Sequence, residues 1–171
     1  MVMVILSLGS NSGQRETHIE AMERELSCVL LAPIMRSRLM ETEPLETIGA
    51  QPWYLNRIIG GSFGADAHDL LYTCREIEAR LGRERPFRHA ARTADIDILL
   101  FGNCSIRDPD VHIPHPALYK RRFCIEGVND IAPEFVLPEK GITVREYRMR
   151  LPETIRSQKI RFYNLSQVSY D

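Results

Sequence analysis

The chain has 171 residues, 22 basic and 23 acidic side chains for a net charge of −1, 44% hydrophobic residues and 26% charged ones. That profile describes one soluble globular domain folding around one core, with no room for two full domains. A charge near zero also argues against a general nucleic-acid binder. Of the basic residues 19 are Arg, and Lys occurs only at 120, 140 and 159. Arg grips phosphate and carboxylate with a planar fork where Lys is a point charge. Base composition explains such a skew unless the arginines cluster.

The apolar start, Val2 to Leu8, is too short to span a bilayer, and no Lys or Arg precedes it as in a secretory leader. Cys28, Cys74, Cys104 and Cys124 form no close pair of metal-ligand spacing. They read as reduced thiols of a cytoplasmic protein.

In chain order, Val2 to Leu8 reads as a buried strand, stopped by the turn formers Gly9-Ser10-Asn11-Ser12-Gly13. Ile19, Met22, Leu26 and Val29 recur with helical spacing, and Pro33 is taken as the end of that helix. A strand is expected over Ile34 to Glu41, and a long loop from Glu43-Pro44 to Gln51-Pro52. Another strand follows over Tyr54 to Phe63, with Gly60-Gly61 marking a bulge. Asp66 is placed to cap a helix carrying Leu70, Cys74, Ile77 and Leu81, and Gly82 to end it.

After a ten-residue loop, Ala94 to Phe101 forms the next strand. The order strand, helix, strand, strand, helix, strand predicts an α+β, ferredoxin-like β-α-β-β-α-β sandwich, with a mainly antiparallel sheet and helices packed on it. Short helices are expected at Pro116 to Val128 and Thr143 to Leu151. Residues 1–160 are read as a single domain; the last 20 residues are polar, and 161–171 are read as a loosely held tail.

The sharpest chemical signal is Asp95-Ile96-Asp97-Ile98. On a strand, Asp95 and Asp97 point to one face, about 6.6 Å apart at Cα, and the isoleucines to the other. Two carboxylates on one face of an otherwise apolar strand suit Mg²⁺, which is held by one or two carboxylates and completed by waters and phosphates. Solvent exposure at a strand end would explain them equally well. The preceding segment holds Arg83, Arg85, Arg88 and Arg92 against one acid, Glu84. Metal-holding carboxylates beside arginines are what phosphoryl transfer requires, since its catalysis is positioning and charge neutralisation. Farther on, His115 lies between prolines ahead of Lys120, Arg121, Arg122 and Phe123. The loop after Leu8 lacks the Lys-Ser/Thr of a phosphate loop, and no strand carries the aromatics that stack RNA bases.

These residues resemble the 6-hydroxymethyl-7,8-dihydropterin pyrophosphokinase family over roughly residues 3 to 150. The shared blocks are Leu8-Gly9-Ser10-Asn11, Glu41 to Leu45, Gln51 to Asn56, Ile77-Glu78 ahead of Leu81-Gly82-Arg83, Arg92 to Gly102, Ile113 to Pro116 with Arg121-Arg122-Phe123, and Ile131 to Glu134. The resemblance implies transfer of the pyrophosphoryl group of ATP to the hydroxymethyl of the dihydropterin, with release of AMP, in folate biosynthesis. It implies two Mg²⁺ ions ligated by Asp95 and Asp97, with Arg83 and Arg92 stabilising the transition state. Glu78, Arg85, Arg88, His89, Arg92, Ile98, His115 and Arg121 would bind ATP. Thr42, Pro44, Leu45, Tyr54, Asn56 and Phe123 would bind the pterin, Tyr54 and Phe123 sandwiching its ring.

The partners so implied are small molecules, without nucleic acid or membrane, and the expected state is a stand-alone cytoplasmic monomer. Where the family often has an aromatic residue and Gly-Pro before the core Arg, this chain has His89, Ala90 and Ala91; Asp110 and His112 replace other phosphate-contacting groups. The competing expectation is a catalytically degenerate nucleotide- or RNA-binding α+β module, supported by the altered loop and the bases between Arg145 and Arg161.

Overall fold

A computed structural model describes residues 1–45, 51–82 and 93–163. The apolar run at the start becomes β1 (Val2–Ser10), buried from Val4 onward because it lies mid-sheet with both faces covered. It pairs antiparallel with β4 (Tyr54–Phe63) on one side and β5 (Asp95–Phe101) on the other. β2 (Leu31–Arg36) and β3 (Leu39–Thr42) take successive stretches of the far edge of β4.

The main chain thus follows the split β-α-β order expected from sequence, with α1 (Arg15–Val29) and α2 (Ala67–Arg80) as the crossovers. Asp66 caps α2, its Oδ1 accepting from the His68 and Asp69 N–H groups at 2.9 Å, and Gly82 follows with φ +74°.

Helices cover both faces. Ile19, Met22 and Leu26 of α1 with Leu70, Cys74 and Ile77 of α2 bury one face against Leu6, Leu8, Ile96 and Ile98. On the other face, α3 (Arg122–Ile131) and α4 (Val144–Met149) pack Cys124, Ile125, Val128 and Val144 on Ile5, Met40, Ile58 and Leu99. A 3-10 turn, Pro116–Tyr119, leads into α3, so the helix expected from Pro116 is two pieces. Thr143 and Glu146 form a capping box at the start of α4. A small hairpin, β6 (Ile106–Arg107) with β7 (His112–Ile113), occupies a stretch read as irregular.

Three expectations are corrected. The first helix ends at Val29, and Pro33 lies within β2. The strand expected over Ile34 to Glu41 is broken at Ser37, whose N–H donates to the Ile58 carbonyl while its Oγ accepts from the Ile58 N–H, both at 2.9 Å. The bulge assigned to Gly60-Gly61 is absent from the β1–β4 register; the irregularity lies on β2, between Leu31 and Met35.

The C-terminal segment contributes regular structure within the described residues. After α5 (Glu153–Arg156), β8 (Ile160–Tyr163) pairs with β3 and extends the sheet by an edge strand. The Tyr163 hydroxyl donates to Glu16 Oε1 of α1 at 2.6 Å, holding this strand to the N-terminal half.

Candidate active site

β5 positions the carboxylates. Asp95 pairs with Gly9 and Asp97 with Ser7, on the face opposite Ile96 and Ile98, which enter the core. Gly9 also faces Asn56 of β4, and a Cβ there would come within 3.2 Å of Asn56 Oδ1, so a side chain at this position would crowd the floor. Above Asp97 the ladder steps: Ile5 pairs with Leu100 and Leu6 with Ile98, leaving Leu99 as an extra residue. Its carbonyl accepts from the His115 N–H at 3.0 Å.

That anchor brings His115 Nε2 to 3.9 Å from Asp97 Oδ1. His115 Nδ1 accepts from the Ala117 N–H at 3.2 Å, so in the neutral ring the proton sits on Nε2, facing the carboxylate. Burial pushes the imidazole below its ordinary pKa, and the charge of Asp95 only partly opposes this.

A cleft of about 260 Å³ opens beside the pair. Thr42, Leu45, Tyr54, Asn56 and Phe123 line it together with Asp95, Asp97, His115 and Arg121. Asn56 is buried, and its Nδ2 donates to Thr42 Oγ1 at 2.8 Å, which fixes the amide orientation. Phe123 comes from the first turn of α3. A second cavity, of about 210 Å³, lies between α2, β5 and the small hairpin. Its floor is Leu71, Ile96, Ile98, Val111 and Ile113, its rim Arg75, Glu78, Asp110 and His112. Asp97 and His115 belong to both spaces, so the cavities meet there.

The predicted residues are therefore brought together in two groups: the pterin set with the carboxylates, and Glu78 with Ile98. Glu78 is 4% exposed, and its Oε1 accepts from the Ile96 N–H at 2.7 Å, bracing β5 from its outer edge. Pro44 is not part of the cleft wall, although its neighbours Glu43 and Leu45 are. Arg83, Arg85, Arg88, His89 and Arg92 lie outside the described residues. Arg122, read with the basic cluster after His115, turns away: its Nη1 donates to the carbonyls of Arg156 and Gln158.

Sequence reasoning missed part of the wall. Ser7 and Gly9 could have been found from the register opposite the two aspartates. Gln158, Lys159 and Ile160 also line the cleft, and nothing in the local sequence signals it. Among the described residues no cluster of three or more His, Cys, Asp or Glu could hold a metal by itself. Two carboxylates on one face fit Mg²⁺, which takes its remaining ligands from water and substrate phosphates.

An α+β sandwich with a carboxylate pair beside an aromatic-walled cleft, which meets a second cavity of apolar floor and charged rim at Asp97, suits phosphoryl-group transfer. The family model for 7,8-dihydro-6-hydroxymethylpterin-pyrophosphokinase matches residues 5–133, and the chain belongs to that family. Membership places it among the pyrophosphokinases of folate synthesis, which transfer a pyrophosphoryl group to hydroxymethyldihydropterin.

The chain is 32% identical to the 2-amino-4-hydroxy-6-hydroxymethyldihydropteridine pyrophosphokinase of Methylorubrum extorquens, covering 88% of this chain and 94% of the relative. Identity to the Bacillus subtilis protein of the same name is 29%, over 90% of this chain and 96% of the relative. The Dictyostelium discoideum folic acid synthesis protein FOL1 is 32% identical over 88% of this chain, which spans only 22% of FOL1. Among solved structures, Plasmodium falciparum HPPK-DHPS superposes with a TM-score of 0.67 at 15% identity, covering 87% of this chain and 44% of that one, and so supports the fold.

Proposed function

We propose that the chain transfers the β,γ-pyrophosphoryl group of ATP to the hydroxymethyl oxygen of 6-hydroxymethyl-7,8-dihydropterin and releases AMP. The observation that carries this reading is the junction at Asp97 and His115, where a cleft with an aromatic and amide lining meets a second cavity with an apolar floor and a charged rim. The pterin is read in the first space. Tyr54 and Phe123 offer faces for a flat ring, while Asn56, with its amide held by Thr42, presents a fixed polar edge. A ring with the wrong edge would leave buried groups unpaired, which is the strongest form of rejection. The adenosine part of ATP is read in the second space, over Leu71, Ile98 and Val111, so that its phosphates run toward Asp97.

Asp95 and Asp97 would hold Mg²⁺, two ions in the full complex, which supplies charge neutralisation on the phosphates and activation of the attacking hydroxyl. His115, neutral with its proton on Nε2, donates toward a phosphoryl oxygen without adding a fixed charge. Arg121 approaches from the start of α3. Arg83 and Arg92 are assigned to the transition state, and Arg85, Arg88 and His89 to the nucleotide. No helix among the described residues is long and apolar enough to cross a membrane. The partners are taken to be small molecules, and the working state a cytoplasmic monomer.

The product decides. Incubation with ATP, Mg²⁺ and the dihydropterin alcohol should give AMP, and ADP as the sole nucleotide product would refute the reading. Asp97→Ala should lower turnover by about 10²–10³-fold or more while leaving the fold intact, as expected for loss of a preorganised electrostatic group. An unchanged rate would remove Asp97 from the metal site.

A further inference from the structure

We infer that Gln158 and Arg122 are positioning residues for the dihydropterin: together they clasp the C-terminal segment against α3 and so build the outer wall of its cleft. The inference rests on the pterin reading of that cleft.

α3 begins without a capping side chain of its own, since Arg121 at the N-cap accepts no hydrogen bond. The first N–H groups of a helix need an acceptor from elsewhere. Gln158 supplies one across 36 residues: its Oε1 accepts from the Arg122 N–H at 2.9 Å. The other end of the same amide, Nε2, donates to the Lys120 carbonyl at 2.9 Å. Both ends of the side chain thus engage the approach to α3.

Arg122 closes the clasp from the other side. Its Nη1 donates to the carbonyls of Arg156 at 2.8 Å and Gln158 at 3.2 Å, and its Nε lies 3.4 Å from Glu126 Oε1. Glu126 is 4% exposed and also accepts from Arg148 Nε at 2.7 Å. Arg122 is therefore braced by a buried carboxylate while it holds the segment.

What the clasp controls follows from its neighbours. Arg121 and Phe123, on either side of Arg122, both line the cleft, as do Gln158, Lys159 and Ile160. The Lys159 N–H donates to Glu43 Oε1 at 3.0 Å, and Ile160 pairs with Thr42 in the β3–β8 register. The segment thus bridges the two sides of the cleft, from Phe123 to Thr42. Loosening it frees both the wall and the ring-stacking residue, while the second cavity shares none of these contacts.

The test is Gln158→Ala, Arg122→Lys and the double variant, with KM for the dihydropterin and for ATP measured separately. Pterin binding by fluorescence and the thermal midpoint accompany the kinetics. Each single change is expected to raise the pterin KM about tenfold, the equivalent of about 1.4 kcal/mol. KM for ATP and kcat should stay within about twofold, and the midpoint within about 2 °C. If the two residues form one clasp, the double variant costs less than the product of the singles.

An unchanged pterin KM overturns the inference. So does a parallel rise in both KM values with a falling midpoint, which would mark general loosening. A wild-type chain that fails to bind the dihydropterin overturns the parent reading and this one with it; normal wild-type binding beside unaffected variants overturns the clasp alone.

Discussion

Gly127 of α3 lies close against the sheet. A Cβ added there would lie 2.2 Å from Ile58 Cγ1 and 3.0 Å from both Ile58 Cβ and Met40 Cε. Ile58 is fully buried mid-strand in β4, so it cannot swing aside. Restoring ordinary contact requires α3 to retreat by about 1 Å in a core packed at crystal density.

Overpacking of this kind costs about 3 kcal/mol at the upper end of its usual range. Alanine returns about 1 kcal/mol through its better helix propensity. The net loss for Gly127→Ala is then about 2 kcal/mol, or a fall in midpoint of about 4–8 °C for a chain of this size. Gly64 provides the control, because a Cβ there meets nothing within 4 Å and the backbone is not left-handed. Gly64→Ala should be neutral or stabilising by about 0.4–1 kcal/mol. Differential scanning calorimetry of both variants measures the contrast. The retreat also shifts Phe123 and Arg121, so the pterin KM of Gly127→Ala should rise. A midpoint within about 1 °C of wild type would refute the packing argument.

Thiol chemistry gives a second check. Cys28 and Cys104 are exposed, whereas burial pushes Cys74 up to about 12 and Cys124 higher still. A maleimide at pH 8 should modify two thiols in the native chain and four in denaturant; a third native adduct would contradict the burial. The Tyr163–Glu16 bond predicts a pH signature. The phenol holds Glu16 below its ordinary carboxyl value of 4.5, so its stabilisation is present above that value and lost as pH falls through the lowered one. Glu16 in turn raises Tyr163 above 10, so on the alkaline side the contribution is present below 10 and lost as pH rises past the raised value. Tyr163→Phe should flatten both limbs of the stability–pH curve relative to wild type, and identical curves would show that the bond does not form in solution.

The legible parts of the chain were those where one strong local signal sufficed. Alternation around Asp95 and Asp97 gave the strand, its two faces and the carboxylate pair, and Asp66 with Gly82 bounded α2 by caps that act within a few residues. The division of the expected strand into β2 and β3, and β8 itself, were hidden for a different reason. The break at Ser37 exists because of its bonds to Ile58 in the neighbouring strand, a register no local pattern encodes. β8 is only four residues long and follows a polar stretch, and its partner Leu39–Thr42 lies more than a hundred residues earlier. The wall formed by Gln158, Lys159 and Ile160 stayed invisible with it. Resemblance located Asn56, Tyr54 and Phe123, but only the fold revealed that Arg122 faces the C-terminal segment while its two neighbours face the cleft.

β5 ends the sheet on its outer side, and such a strand normally presents unpaired donors and acceptors to any passing chain. Here Glu78 takes the Ile96 N–H and His115 fills the Leu99 carbonyl. The residues that brace the carboxylates therefore also deny a second molecule a template for strand addition. Replacing Glu78 would expose that margin, and its damage would register in light scattering on storage as well as in turnover.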